Sequence, residues 1–284
     1  MKFLLGMITG VRPPFSKAAA LAMLAAMVVA GSGSAAKLII GQSSERLTPV
    51  QREIERQRQL LNSGSVEERR DALMRLGNLR RPDASKVAAA GLSDVEPVVR
   101  VTAARAILSL PPAEAASLLS PLLQDKLEFV RREAAYALGE TRSRTAVAAL
   151  TNLLITDKDA GVRSAAAVAL GTIGDESAVP TLSQVLVGST DKKKKAKSAE
   201  NEFVMRAAAR SLGQIRSRSA VDVLIATLTN EANDSDLRRE AATALGLIGD
   251  PVAGPALQAA FASNDPYLSE AARESLRRIR IARK

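Results

Sequence analysis

Guanidinium and carboxylate groups recur along this chain with a regularity that could do chemistry. Arg69, Arg100, Arg131, Arg163 and Arg238 each follow the opening anchor residue of a repeated motif, and Asp94, Asp125 and Asp157 precede several of them. Such a row of guanidinium groups could hold an anion through paired hydrogen bonds. It could equally pair with the aspartates and tie neighbouring units together, and recurrence at unit spacing favours that structural role. A second cluster is DKKKKAKSAE (191–200), with Lys192, Lys193, Lys194, Lys195 and Lys197. A third is the basic end, with Arg277, Arg278 and Arg280. Either basic cluster could contact phosphate or anionic lipid.

Most enzymatic chemistries are missing. The 284 residues include no His and no Cys. Cys/His zinc sites, thiol nucleophiles and Ser-His-Asp triads therefore cannot be assembled. The commonest general base near neutral pH is absent. Carboxylate-only chemistry stays formally open. No catalytic residue, metal ligand or cofactor site is expected.

The elements that position the charged residues are helices in a repeat. VRSAAAVALGTIGD (162–175) has counterparts beginning at Glu68, Val99, Val130, Val204, Leu237 and Leu268. The anchors Leu76, Ile107, Leu138, Leu170, Leu212, Leu245 and Leu276 are spaced by 31, 31, 32, 42, 33 and 31 residues. A period near 31 is the signature of a solenoid. Val162, Ala165, Ala166, Ala169, Leu170 and Ile173 fall on one helical face. Gly174-Asp175 and Gly249-Asp250 stop that helix and start a second, glycine by adopting a left-handed conformation and aspartate by capping. Each unit is thus a hairpin that buries its apolar face only by stacking. Thr48-Pro49 opens a capping helix over 48–63, and the seventh motif is a terminal half-unit. The 42-residue spacing places the lysine run in a surface insertion at 189–200, a solvated loop or a contact at the rim of the stack.

Residues 1–36 combine three basic residues, no acid, an apolar stretch at 18–30 and small residues before Lys37. They read as a cleaved signal peptide or an N-terminal anchor, with a linker at 37–47, so the chain is expected to be exported to a periplasmic or extracellular space.

The Val-Arg, Ala-Ala, Ala-Leu-Gly and Ile-Gly-Asp elements resemble the HEAT-repeat family, in the short form of phycobilisome-lyase-like repeats, over residues 64–281. The resemblance implies an all-α, right-handed, armadillo-like solenoid of about six stacked hairpins with terminal half-repeats. It also implies that the second helices line a concave face. Deoxyhypusine hydroxylase uses this repeat with His-Glu pairs on two irons, and a chain without His should lack that activity. Phycobilin lyases share the repeat and join a bilin to a partner's cysteine. A lyase-like role stays open, although an export signal and an aromatic content of 2% argue against a tetrapyrrole pocket. A DNA glycosylase would want aromatic stacking on the base, which nothing here supplies.

The core positions fix which second-helix residues point outward. Leu118, Thr151, Asn152, Thr181, Gln184, Val223, Ile225 and Gln258 lie on that side, where only Lys86 and Asp222 carry charge. A small-residue, weakly apolar trough suits a protein or peptide partner, although a tightly curved stack would demand small residues anyway. Of the formal charge of +10, the first 36 residues hold +3, residues 189–200 hold +3 and residues 273–284 hold +5, leaving the body nearly neutral. That is not the distribution of a nucleic-acid groove. The expectation is a non-enzymatic protein-binding scaffold. The alternative is a binder of anionic surfaces through Lys192–Lys195, Lys197, Arg277, Arg278 and Arg280.

Overall fold

The computed structural model describes residues 47–187 and 198–282. The signal or anchor at 1–36, the linker up to residue 46 and Lys192–Lys197 lie outside the described residues. The described residues form an all-α stack, with no strand among them. A capping helix α1 (Pro49–Leu60) precedes six hairpins. These are α2/α3 (Val66–Asn78, Pro82–Ala88), α4/α5 (Pro97–Ala106, Pro112–Leu119) and α6/α7 (Glu128–Thr141, Val147–Thr156). They continue as α8/α9 (Ala160–Ile173, Val179–Val187), α10/α11 (Ser198–Ile215, Val221–Thr229) and α12/α13 (Ser235–Ile248, Gly254–Phe261). A last helix, α14 (Pro266–Ala282), closes the series.

Local signals set the helix ends. Thr48 and Gln51 form a reciprocal capping box on α1, with amide-to-side-chain bonds of 3.2 and 2.8 Å. Gly174 and Gly249 adopt φ of 75° and 78°, the left-handed turn expected of them. Arg80, Arg142 and Arg216 take the same turn after α2, α6 and α10, with φ of 50–60°. Asp175 and Asp250 then accept from the amides of Ser177 and Val252. The second helices of units three to six begin as single 3-10 turns, such as Glu176–Ala178, rather than directly as α-helix. Asp265 caps α14 through the amides of Tyr267 and Leu268.

One continuous aliphatic core runs through the stack. Leu76, Ile107, Leu138, Leu170, Leu212 and Leu245 are fully buried, and Leu276 on α14 is half-buried. First helices pack side by side along a seam of small residues. A Cβ on Gly139 would sit 2.8 Å from the Ala169 Cα, and one on Gly213 would sit 2.7 Å from the Ala244 Cα. The seam therefore excludes any side chain at these positions. Ser211 and Ser275 donate across it to the carbonyls of Ala167 and Ala242 at 2.8 Å each.

Candidate protein-docking surface

The recurrent arginines are absorbed by the fold. Arg69, Arg100, Arg131 and Arg163 fold their guanidinium groups over the loop before their own helix, and the first three reach an aspartate in the loop after their hairpin. Arg69 bonds the Asp94 carboxylate at 2.7 and 3.0 Å, Arg100 bonds Asp125 at 2.8 Å, and Arg131 bonds Asp157 at 2.6 and 3.0 Å. The backbone carbonyl of the same aspartate then accepts from the next arginine: Asp94 from Arg100 at 2.8 Å, Asp125 from Arg131 at 3.0 Å and Asp157 from Arg163 at 2.9 Å. Each carboxylate also accepts an amide two residues on, from Glu96, Leu127 and Asp159. The result is an unbroken ladder through the first four units. Burial alone pushes the Asp94 and Asp157 carboxyls up. The arginine hydrogen bonds, the local amides and the nearby guanidinium charges outweigh it and hold both below the ordinary range. Arg69 and Arg131 are correspondingly raised, chiefly by these carboxylate bonds. With Arg131 and Asp157 side chains only 9% and 6% exposed, this ladder is structural and offers nothing to a ligand. Arg238 takes no ladder carboxylate and donates instead to the Leu228 carbonyl at 2.9 Å.

The second helices present the predicted surface. Leu119, Leu150, Leu182, Leu224 and Leu257 point inward and are fully buried, which turns the intervening positions out. Leu118, Asn152, Gln184 and Gln258 are exposed, whereas Thr151, Thr181, Val223 and Ile225 are half-buried. Val223 and Ile225 pack against the core, so they line the floor of the surface rather than its contact edge. The hydroxyls of Thr151 and Ser183, at equivalent positions in α7 and α9, are buried with no hydrogen-bond partner among the described residues. Lys86 and Asp222 are exposed. Ile155 and Val187, one unit apart at the ends of α7 and α9, are 51% and 72% exposed and extend the apolar character of this layer. The repeat register locates these two residues once it is carried past the core leucines.

Sequence reasoning missed a cleft on the opposite layer. A space of about 610 Å³ lies over α4 between α2 and α6, lined by Leu73, Met74, Val101, Arg105, Phe129 and Glu133 among others. Arg105 bridges to Glu133 at 2.6 Å along it. α4 ends at Ala106, and Leu108 stands where the other units carry the seam glycine. The cleft needs three consecutive first helices, so no single motif announces it. Among the described residues, no group of three or more His, Cys, Asp or Glu side chains could hold a metal ion. No described helix is long and apolar enough to cross a membrane.

Arg277, Arg278 and Arg280 are exposed on α14. The first two pair loosely with Glu274 at 3.9 and 3.4 Å. The structure does not bring them together with the described second-helix surface residues into one site.

Comparison with known proteins bears on the fold. The complex of CpcE and CpcF of phycocyanin lyase from Nostoc sp. is 25% identical, over 87% of this chain and 92% of that one, with a TM-score of 0.47. Human deoxyhypusine hydroxylase is 21% identical, over 80% and 84% of the two chains, at 0.41. A designed armadillo repeat protein is 17% identical, over 80% and 99%, at 0.38. A search of curated proteins gives no match. HEAT repeats match residues 54–137, 128–201 and 193–277, nearly the whole stack, and the chain belongs to the HEAT-repeat family.

Proposed function

We propose that this chain is a non-enzymatic scaffold, exported from the cytoplasm, that binds a protein or peptide along its second-helix layer. The observation that carries the reading is the contrast in charge between the two layers. Ion pairs such as Arg105–Glu133 and Arg210–Glu240 cover the first-helix side. The second helices carry only four charged residues, Asp83, Lys86, Glu114 and Asp222, and none in α7, α9 or α13, with Leu118, Ile155 and Val187 exposed among small polar residues. A weakly apolar strip bounded by charged helices excludes phosphate backbones and suits shape-complementary protein contact. Binding would rest on side-chain packing and on hydrogen bonds from Asn152, Gln184 and Gln258.

A photo-crosslinking residue placed at Asn152 or Gln184, in the host envelope, tests this. The expected result is a discrete adduct that is lost when Leu118→Asp and Ile155→Asp are introduced, with the thermal midpoint unchanged. Adducts from first-helix positions alone, or none from either layer, would overturn the reading. Alkaline-phosphatase fusions after residues 36 and 63 test export separately.

A further inference from the structure

α14 differs from every other first helix along the seam by which units stack. Superposing the motif LSEAARESLRRIRI (268–281) on LRREAATALGLIGD (237–250) puts Arg273 where Ala242 stands, Arg277 where Gly246 stands and Arg280 where Gly249 stands. On its near side α14 is docked like its predecessors: Leu268, Ala272, Ser275 and Ile279 are buried, and Ser275 bonds the Ala242 carbonyl. A Cβ on Gly246 would lie 2.7 Å from the Ser275 Cα. Unit two alone carries a side chain there, the apolar Leu108, so Arg277 puts a guanidinium where the preceding units have glycine or leucine. The far side of α14 keeps the shape of a helix-docking seam but carries cations, with the anchor Leu276 only half-covered between them.

Arg273, Arg277 and Arg280 fall at i, i+4 and i+7, so they form one stripe along the helix. The Arg273 and Arg277 side chains are 66% and 74% exposed, and their pairs with Glu270 and Glu274 are intrahelical and solvent-accessible. Such pairs exchange readily for an external carboxylate. A second copy of this chain fits poorly, because α1 at the other end exposes Arg52, Arg56 and Arg58. A bilayer fits less well than a helix, because nothing on the stripe itself is apolar enough to insert.

We propose that the far face of α14 docks an acidic α-helix of a partner protein, laid alongside α14 as a next first helix would lie, with carboxylates facing Arg273, Arg277 and Arg280. This surface is separate from the second-helix layer, so its test is independent of the function proposed above. The partner helix sits further out than a seam neighbour, because guanidinium–carboxylate pairs stand between the two backbones where Gly and Ala elsewhere let them touch.

The probe is a labelled synthetic helix of about 18 residues with glutamates at i, i+4, i+7 and i+11 on an alanine background. A control peptide has the same composition with the glutamates spread around the helix. Binding to the full chain is read by fluorescence anisotropy at low and high salt. The striped peptide should bind roughly tenfold more tightly than its control, and the variant Arg273→Gln/Arg277→Gln/Arg280→Gln should lose that preference. Replacing Lys192–Lys195 with Gln should leave it intact. Equal binding of the two peptides, or a preference that survives the triple variant, would overturn the proposal. So would stronger arginine-dependent binding to phosphatidylglycerol vesicles than to the striped peptide, which would assign the face to lipid.

Discussion

The units before and after the 189–200 insertion solve the same electrostatic problem differently. In units one to three, an arginine directly after the anchor residue reaches the aspartate of the following loop, and the pair is nearly dry: Arg100 and Asp125 are 10% and 9% exposed. In units five and six the pairing moves one residue along. Arg206 takes Asp236 at 2.9 Å and Arg239 takes Asp265 at 2.8 Å, with side chains 34% and 50%, and 30% and 19%, exposed. Arg206 and Arg239 also lie over Phe203 and Tyr267, 6.0 and 4.9 Å from the ring centroids. Met205 occupies the ladder position of unit five, so the inner row cannot continue through it. The apolar register survives the insertion while the ionic register does not. Packing is enforced at every turn of the helix, whereas a loop-to-loop ion pair depends on one residue at one position.

Substitutions can break or sharpen that difference. The largest effect is expected at Asp157→Ala, which strands the buried Arg131 beside only Asp159 and should cost about 3 kcal/mol in urea unfolding. The same pair sets the acid response. Asp94 and Asp157 have folded values below their unfolded ones, so their contribution is fully present above the ordinary carboxylate range. It is lost as pH falls through the lowered folded values, below about pH 4. An unfolding titration that is flat between about pH 5 and about pH 2 would contradict this. Asp265→Ala comes next and should lower the thermal midpoint, because it removes both the α14 cap and the Arg239 pair. Arg142→Gly and Arg216→Gly relieve a left-handed residue on either side of the insertion and should each raise stability by about 1 kcal/mol, visible as a higher thermal midpoint. Asp236→Asn, at the exposed pair of the later units, should change stability by less than about 0.5 kcal/mol. A cost there equal to that of Asp157→Ala would erase the distinction between the two halves.

Much of this was legible in the sequence. The anchors, the six hairpins, the half-units at either end and the capping roles of Asp175, Asp250 and Asp265 all follow from signals within a few residues of each other. The structural role of the arginine row was legible too, because its period matched the units. The left-handed arginines at 80, 142 and 216 were not, since only the glycines at 174 and 249 advertise such a turn. The second-helix positions read as outward range from exposed to half-buried. Their division into exposed Asn152 and half-buried Val223 depends on how adjacent hairpins rotate against each other. The cleft over α4 was hidden because its walls, Met74 and Phe129, come from different units.

The sequence by itself determined the repeat, its core and the absence of histidine and cysteine chemistry. These rest on composition and on periodicities of one helical turn or one unit. Only the tertiary structure decided which carboxylate each arginine takes, and that the seam closes directly on Gly139, Gly213 and Gly246. It also decided that Arg277 stands exposed on the far side of α14. Each of these depends on contacts between residues some thirty positions apart, whose distance is set by the packing of whole helices and by no local preference of the chain.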